Sequence, residues 1–330
     1  MSVKKYKVVG IGNAIVDIVA NVEEDFLRKH NLLKGSMRIV DESEVEKLYS
    51  CIKSVKKLSG GSAANTIAAL SSLGNPVAFI GKVGNDMLGK LFEEDLKSLG
   101  VNYCALKADS RLPTACCIIF TTPDAQRTMN THLGISGFLS PEDIDEDAIS
   151  QSEVIYLEGY LWDSREAKKA FKKAVKIAIR AGGKVALSLS DSFCVKRHRV
   201  EFLSLIRNYV DIIFANEEEI KSLYKTKNLE SAIYKCMMIK RVFVITRSEK
   251  GSIIVSNGEV NKVPAERSVN VVDTTGAGDL YAAGFLHGLV RGMDLEACGR
   301  IGSIIAAEVL GQFGARIETP LAKILSEKGF

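Results

Sequence analysis

The chain has 330 residues, 46% of them hydrophobic and 25% charged, with a formal net charge of +4. That is globular composition, enough for one large α/β domain with an appendage, and its interspersed charges suit a small anionic ligand rather than nucleic acid. No run approaches about 18 uninterrupted apolar residues, which excludes a membrane-spanning helix, and seven cysteines without a C-x-x-C argue for a reducing, cytoplasmic setting over a disulfide framework or zinc site.

In chain order, the basic start MSVKKYK and the apolar stretch VVGIGNAIVDIVA imitate a secretory leader. Asn13 and Asp17 interrupt that stretch, and a strand running into a ligand turn explains it better. Apolar β-rich runs then alternate with helical patterns. The strands are expected at 7–12, 77–83, 154–160, 184–190, 210–216 and 241–247, and the helices at 65–74, 164–183 and 217–224. Strand then helix, repeated, predicts a mostly parallel, doubly wound sheet with ligands at the carboxyl ends of its strands.

Two stretches break the rhythm. Residues 15–45 and 104–131 read as antiparallel strands, the second with a turn PDAQ, and they predict a small β-sheet lid. The α/β core is then expected from 1–14, 46–103 and 132–330. A lid sheet with exposed edges leaves both a monomer and a homodimer open.

The stretch VVDTTGAGDLYAAGF (271–285) runs from β-branched residues through small ones to a lone carboxylate at the start of an apolar helical pattern. Gly276, Ala277 and Gly278 carry almost no side chain, so their amides can approach an anion closely, and the helix beyond adds the positive end of its dipole. That is a cradle for the charge that builds on a phosphoryl group in transfer. Asp279 stands at its rim as a general-base candidate, or as a simple helix cap. At the other end of the chain, Asn13 and Asp17 lie at the exit of the first strand. There they can hold vicinal hydroxyls of a sugar, or close a turn on their own backbone.

DTTGAGD (273–279) resembles the second signature of the ribokinase-like (PfkB) family of sugar and nucleoside kinases. GGSAANTIAALSSLG (60–74) is similar to its first signature, NEEE (216–219) to its N-x-x-E motif and GKVGNDMLG (81–89) to its G-x-V-G-x-D-x-x-G segment, all in the family's order.

The resemblance implies an ATP- and Mg2+-dependent phosphotransferase of the ribokinase-like fold. Asp279 would deprotonate the acceptor hydroxyl, with Gly276, Ala277 and Gly278 as the anion hole. Asp17, Gly60, Gly61, Ser62 and Asn65 would bind the sugar alongside Asn13, and Arg127 would reach over the phosphates when the lid closes, unless it is a hairpin-tip charge. Asn216 and Glu219 would organise Mg2+ through water, or form a capping box, or both. Asp273 and Thr275 match positions that bind a monovalent cation, K+, in some members. Thr246, Arg247 and Gly251 fall in the family's T-x-G-x-x-G nucleotide segment, in which Ser248 replaces a glycine.

GNAIVDI, LEGYLW (157–162), LSLSDSFCVKRHRVEF (187–202) and YVDIIFANEEE (209–219) look like the adenosine-kinase branch. A base would need apolar walls, for which Ile15, Leu133, Phe138, Leu161 and Phe193 are candidates; KRHR (196–199) reads as a solvated face. A ribokinase- or fructokinase-like sugar kinase is the alternative, and a non-catalytic nucleoside or nucleotide sensor is the rival from another class. A nicotinamide dehydrogenase fails because Ile15 stands at the third glycine of G-x-G-x-x-G, and a P-loop fails because Leu91 replaces the Mg2+-binding hydroxyl.

Overall fold

The computed structural model describes residues 4–53, 55–104, 112–124, 126–267, 271–312, 314–317 and 319–330. Its strands are β1 (Tyr6–Ile11), β2 (Ile15–Asn21), β3 (Met37–Ile39), β4 (Lys56–Gly60), β5 (Val77–Ile80), β6 (Asn102–Tyr103), β7 (Ala115–Thr121), β8 (Arg127–His132), β9 (Ser152–Glu158), β10 (Lys184–Ser188), β11 (Ile212–Asn216), β12 (Val242–Thr246), β13 (Ser252–Ser256) and β14 (Glu259–Val263).

Nine of them form one sheet in the order β14-β13-β12-β11-β10-β9-β1-β5-β6. From β6 to β12 every pairing is parallel, and β13 and β14 add an antiparallel edge. The central strands read as unbroken apolar runs because both faces are covered. In β1, Val8 packs into one hydrophobic cluster and Val9 into the other. On the Val9 side lies the helix Arg165–Arg180, which Ser164 caps and which buries Ala167, Ala170, Phe171, Ala174, Val175 and Ala178. That spacing is one helical face. On the Val8 side lie the helices Ser62–Ser72, Ala277–Val290 and Leu295–Val309.

The chain runs from β1 out to β5 on one side and to β9 and beyond on the other. The strand order therefore reverses at β1 and β9, and a crevice opens at their carboxyl ends.

The second sheet has the order β3-β8-β7-β2-β4. One face buries Ile18, Ala20, Cys116, Ile118 and Phe120 beneath Leu27 and Leu48 of two short helices. Its pairing departs from the antiparallel expectation: β2–β4 and β7–β8 are antiparallel, but β2–β7 and β3–β8 are parallel. The chain leaves this sheet after β4 and returns at β7, a crossover of the kind parallel pairing requires. β4 itself comes from a stretch assigned to the core, since KKLSG carries one apolar residue and no β-strand pattern. Residues 105–111 and Ala125, which fall in the second expected insertion and its PDAQ turn, lie outside the described residues.

Candidate active site

β1 and β9 end side by side, and their exits touch. Glu158, at the end of β9, is 1% exposed and accepts from Asn13 N (3.3 Å), Asn13 Nδ2 (2.6 Å) and Ala63 N (2.9 Å). Burial pushes its carboxyl up to about 7. Asn13 is itself buried, and its Oδ1 accepts from Ser136 Oγ at 3.1 Å. Its side chain thus ties β1 to β9 and to the turn Gly134–Phe138.

Gly61 opens the helix Ser62–Ser72 with φ +92°, and a Cβ there would lie 2.3 Å from Asn13 O. Only glycine fits that conformation and that approach. At Gly60, a Cβ would fall 2.4 Å from Asp17 Oδ2, so the bare backbone makes room for the Asp17 carboxyl. Desolvation pushes that carboxyl up to about 7, against the pull of Arg316 and Arg127. A small cleft opens in front of it, lined among others by Val19, Leu58, Arg127, Asp273 and Arg316.

Asp279 lies in the first turn of the helix Ala277–Val290, against the start of the helix Ser62–Ser72. Its Oδ1 accepts from Ser62 Oγ at 2.6 Å and its Oδ2 from Asn65 Nδ2 at 2.9 Å. Burial raises its carboxyl to about 6, against those two hydrogen bonds and Arg316. It does not act as a cap: no side chain closes this helix terminus, where Gly276 takes φ +76°. Leu280 N donates to Gly276 O (2.8 Å) and Ala277 N leans on Thr274 O at 3.4 Å. Among the described residues the amides of Gly276, Gly278 and Asp279 have no backbone or side-chain acceptor. The space where a Cβ of Gly278 would sit is open.

Asp273 and Thr275 are hydrogen-bonded to each other. Asp273 Oδ1 accepts from Thr275 N (2.9 Å) and Thr275 Oγ1 (2.7 Å), and its Oδ2 accepts from Gly314 N (2.9 Å). Arg127, from β8 of the second sheet, adds its Nε at 3.2 Å from Oδ1. Donors thus meet both oxygens of this carboxylate. Arg127 meets the glycine loop through Asp273, so it is not a free hairpin tip.

The remaining residues gather at the neighbouring strand ends, where Asn216 of β11 pairs with Thr246 of β12. Asn216 and Glu219 form a closed capping box: Asn216 N and Nδ2 donate to the two Glu219 oxygens (3.1 and 2.5 Å), and Glu219 N donates to Asn216 Oδ1 (2.9 Å). Glu219 is 5% exposed, and burial raises it to about 7. Among the described residues no group of three or more His, Cys, Asp or Glu is placed to hold a metal. A single carboxylate of this kind fits a magnesium ion held through water and nucleotide, not by a protein cage. Arg247 bonds back through N–H to Gly251 O (2.8 Å) and pairs with Glu217 (3.3 Å). Ser248 takes a left-handed φ of +50°.

Of the candidate base walls, Leu161 is core, whereas Phe138 and Phe193 are 59% and 69% exposed. The KRHR stretch is not simply solvated: Arg197 and His198 both bond Asp163. Sequence reasoning missed two residues. Glu158 had a legible signal, a carboxylate closing a buried strand; Arg316, in the loop GARIETP, had none.

A doubly wound sheet with a second sheet set over its carboxyl-end crevice, a carboxylate at a helix start and free amides beside it define a small-molecule phosphotransferase. The description "pfkB family carbohydrate kinase" matches residues 7–322, and the chain belongs to that family. It is 44% identical to the adenosine kinase of Sinorhizobium meliloti, with a TM-score of 0.93, covering 98% of this chain and 100% of that one. A probable sugar kinase from Rhizobium etli is 41% identical, with a TM-score of 0.93 and 99% of each chain covered. A nucleoside kinase of Methanocaldococcus jannaschii is 26% identical over 97% of this chain and 95% of its own. The protein is thus an ATP-using carbohydrate or nucleoside kinase. Among the described residues no helix is long and apolar enough to cross a membrane.

Proposed function

We propose that the protein moves the γ-phosphoryl of Mg-ATP to a primary hydroxyl of a nucleoside, with adenosine as the first candidate. The observation that carries this reading is the setting of Asp279. Its carboxyl, raised to about 6, is ionised at neutral pH yet basic enough to take a hydroxyl proton. It lies beside amides that have no other acceptor among the described residues.

The transferred group develops charge on its equatorial oxygens, and the amides of Gly276, Gly278 and Asp279, with the helix terminus behind them, meet that charge. Removing one such donor costs about 3–4 kcal/mol of transition-state stabilisation. Glu219 and Asn216 would hold a magnesium ion through water, and that ion would supply neutralising charge at the phosphates.

On the acceptor side, Asn65 gives its Nδ2 to Asp279 while its buried Oδ1 has no hydrogen-bond partner. An incoming hydroxyl supplies the missing donor and is held beside the base. Asp17, over Gly60, is placed to accept from the ring hydroxyls. Ile15, Leu133 and Phe138 keep part of their apolar surface uncovered at the same end, where Ser136 bonds Asn13. That surface suits a base, and the similarity to the Sinorhizobium adenosine kinase supports the same acceptor. A sugar acceptor is the second reading, favoured by the Rhizobium relative's description as a probable sugar kinase.

An ADP-release assay with Mg-ATP and adenosine, other nucleosides, ribose and fructose tests the proposal. Turnover with adenosine well above the others is the expected result; turnover with free sugars alone transfers the reading to a sugar kinase.

A further inference from the structure

Residues 314–316 touch both halves of the site in three successive steps. Gly314 N donates to Asp273 Oδ2 at 2.9 Å. Ala315 packs on the glycine that opens the helix Ala277–Val290, since a Cβ on Gly276 would lie 2.4 Å from that of Ala315. Arg316 then turns to the acceptor side. Its Nη1 donates to Ala64 O and its Nη2 to Ser59 Oγ, both at 3.0 Å, and its Nε lies 3.3 Å from Ser59 O and Oγ. Ser59 directly precedes Gly60 and Gly61, and Ala64 sits between Ser62 and Asn65, the two residues that hold Asp279.

The charge on Arg316 needs an explanation of its own. The side chain is only 16% exposed, its hydrogen bonds all go to neutral oxygens, and its ion pair with Asp95 is long, at 3.9 Å. A buried cation without a close counter-ion is costly. A neutral amide would make similar bonds to Ser59 and Ala64 without that cost. What the charge adds is attraction to carboxylates: that of Asp95, which also accepts from Ser59 Oγ, and then those of Asp17 and Asp279, the last two of which it favours in the ionised form.

We propose that Arg316 is a positioning residue for phosphoryl transfer, fixing the Ser59–Ala64 turn against the loop 273–279 and setting one positive charge near the acceptor-binding Asp17 and the base Asp279. The proposal rests on the reading of Asp279 as the base. The other groups that face these carboxylates are Arg127 from the second sheet, Cys116 and Cys117 from β7 beside Asp17, Asp273 from the glycine loop, Glu158, Tyr156 and Tyr160 from β9 and the turn after it, and Glu219 from the strand-end helix, while Asp95 faces Arg316 itself. Most of these are acidic and oppose ionisation of the pair, which leaves Arg316, with Arg127, to favour it.

The test is the pH dependence of kcat with Mg-ATP and adenosine, or ribose should adenosine not turn over, for wild type, Arg316→Gln, Arg316→Lys, Ser59→Ala and Asp279→Asn. In Arg316→Gln the rate falls at least ~10-fold at neutral pH and the acid limb moves up by at least about half a pH unit. Arg316→Lys keeps the charge and returns the limb to its wild-type position, with part of the rate loss remaining. Ser59→Ala removes an anchor but no charge, so it lowers the rate and leaves the limb in place. Thermal melting establishes that each variant is folded, and Arg316→Met, which keeps the volume, replaces the Gln variant if that one does not fold. A folded neutral variant with the wild-type limb, or a Lys variant no better than the neutral one, overturns the role of Arg316. An Asp279→Asn enzyme that still turns over defeats the base reading instead.

Discussion

Ser62 Oγ donates to Asp279 Oδ1 at 2.6 Å across 217 residues of sequence, so the first turn of one helix holds the carboxylate on the first turn of another. This bond favours the ionised carboxyl against the burial that raises it. A hydrogen bond to a charged group contributes about 1.5–3 kcal/mol, and one pH unit corresponds to about 1.4 kcal/mol. Ser62→Ala therefore shifts the acid limb of kcat upward by about one pH unit, with only a modest loss on the alkaline plateau. Initial rates from pH 5 to 9 measure this, and an unmoved limb at full rate contradicts it.

Gly276 and Gly278 invite the same substitution with different outcomes. At Gly276 an added Cβ meets Ala315 at 2.4 Å, and the backbone is left-handed at φ +76°. Gly276→Ala thus loses stability by at least ~1 kcal/mol along with its activity. At Gly278 the same Cβ points into open space. Gly278→Ala keeps its stability, so a loss of kcat there reports the close approach of the transferred phosphoryl. Denaturation midpoints and kcat for the two variants separate the cases; equal destabilisation would remove the distinction.

The turn into the helix Ala277–Val290 was legible because a run of small residues ending in a lone carboxylate separates two apolar stretches. The doubly wound sheet was legible because strands buried on both faces cannot alternate polar and apolar residues. The second sheet was read only in part. Its β4 has one apolar residue in five, and its pairing depends on where the chain travels between β4 and β7. Arg316 was invisible for a related reason. Its partners Ser59 and Ala64 lie more than 250 residues away, and nothing local distinguishes a buried arginine from a solvated one. The motif NEEE pointed to two chemistries, a capping box and a magnesium site. The closed box is the one the structure contains.

Ser248 occupies the position at which relatives of this fold are expected to carry glycine, and its φ is +50°. The left-handed conformation costs a non-glycine residue about 1 kcal/mol or more, partly offset by the larger unfolded-state entropy of glycine. Ser248→Gly consequently leaves stability equal or raises it by up to about 1 kcal/mol, without a loss of ATP affinity. Urea unfolding together with the KM for ATP checks both parts. A destabilised variant would mean that the serine hydroxyl, not the backbone, is what the turn requires.

His287 offers a pH prediction that does not depend on the catalytic reading. It is 6% exposed in the helix Ala277–Val290, and burial, with Arg291 nearby, pushes its imidazole down to about 4. The hydrogen bonds agree with this direction. Asn75 Nδ2 lies 2.9 Å from Leu70 O, which fixes that end of the amide as a donor, and the same nitrogen is 2.8 Å from His287 Nδ1. Nδ1 must therefore accept, and a protonated ring would set one donor against another. The unfolded chain binds this proton below about pH 6.5, whereas the folded protein does not until about pH 4. The contribution of His287 to stability is thus complete above pH 6.5 and is lost as the pH falls from 6.5 towards 4, by up to about 3 kcal/mol. Raised carboxyls such as Glu158 and Glu219 slope the opposite way over an overlapping range, because they bind protons more tightly when folded. The difference between wild type and His287→Gln isolates the histidine: the gap in unfolding free energy narrows as the pH drops from 7 to 4.5. In an NMR titration of the wild type the His287 imidazole is expected to stay neutral below pH 5; its titration near 6.5 would rule out the buried neutral pair.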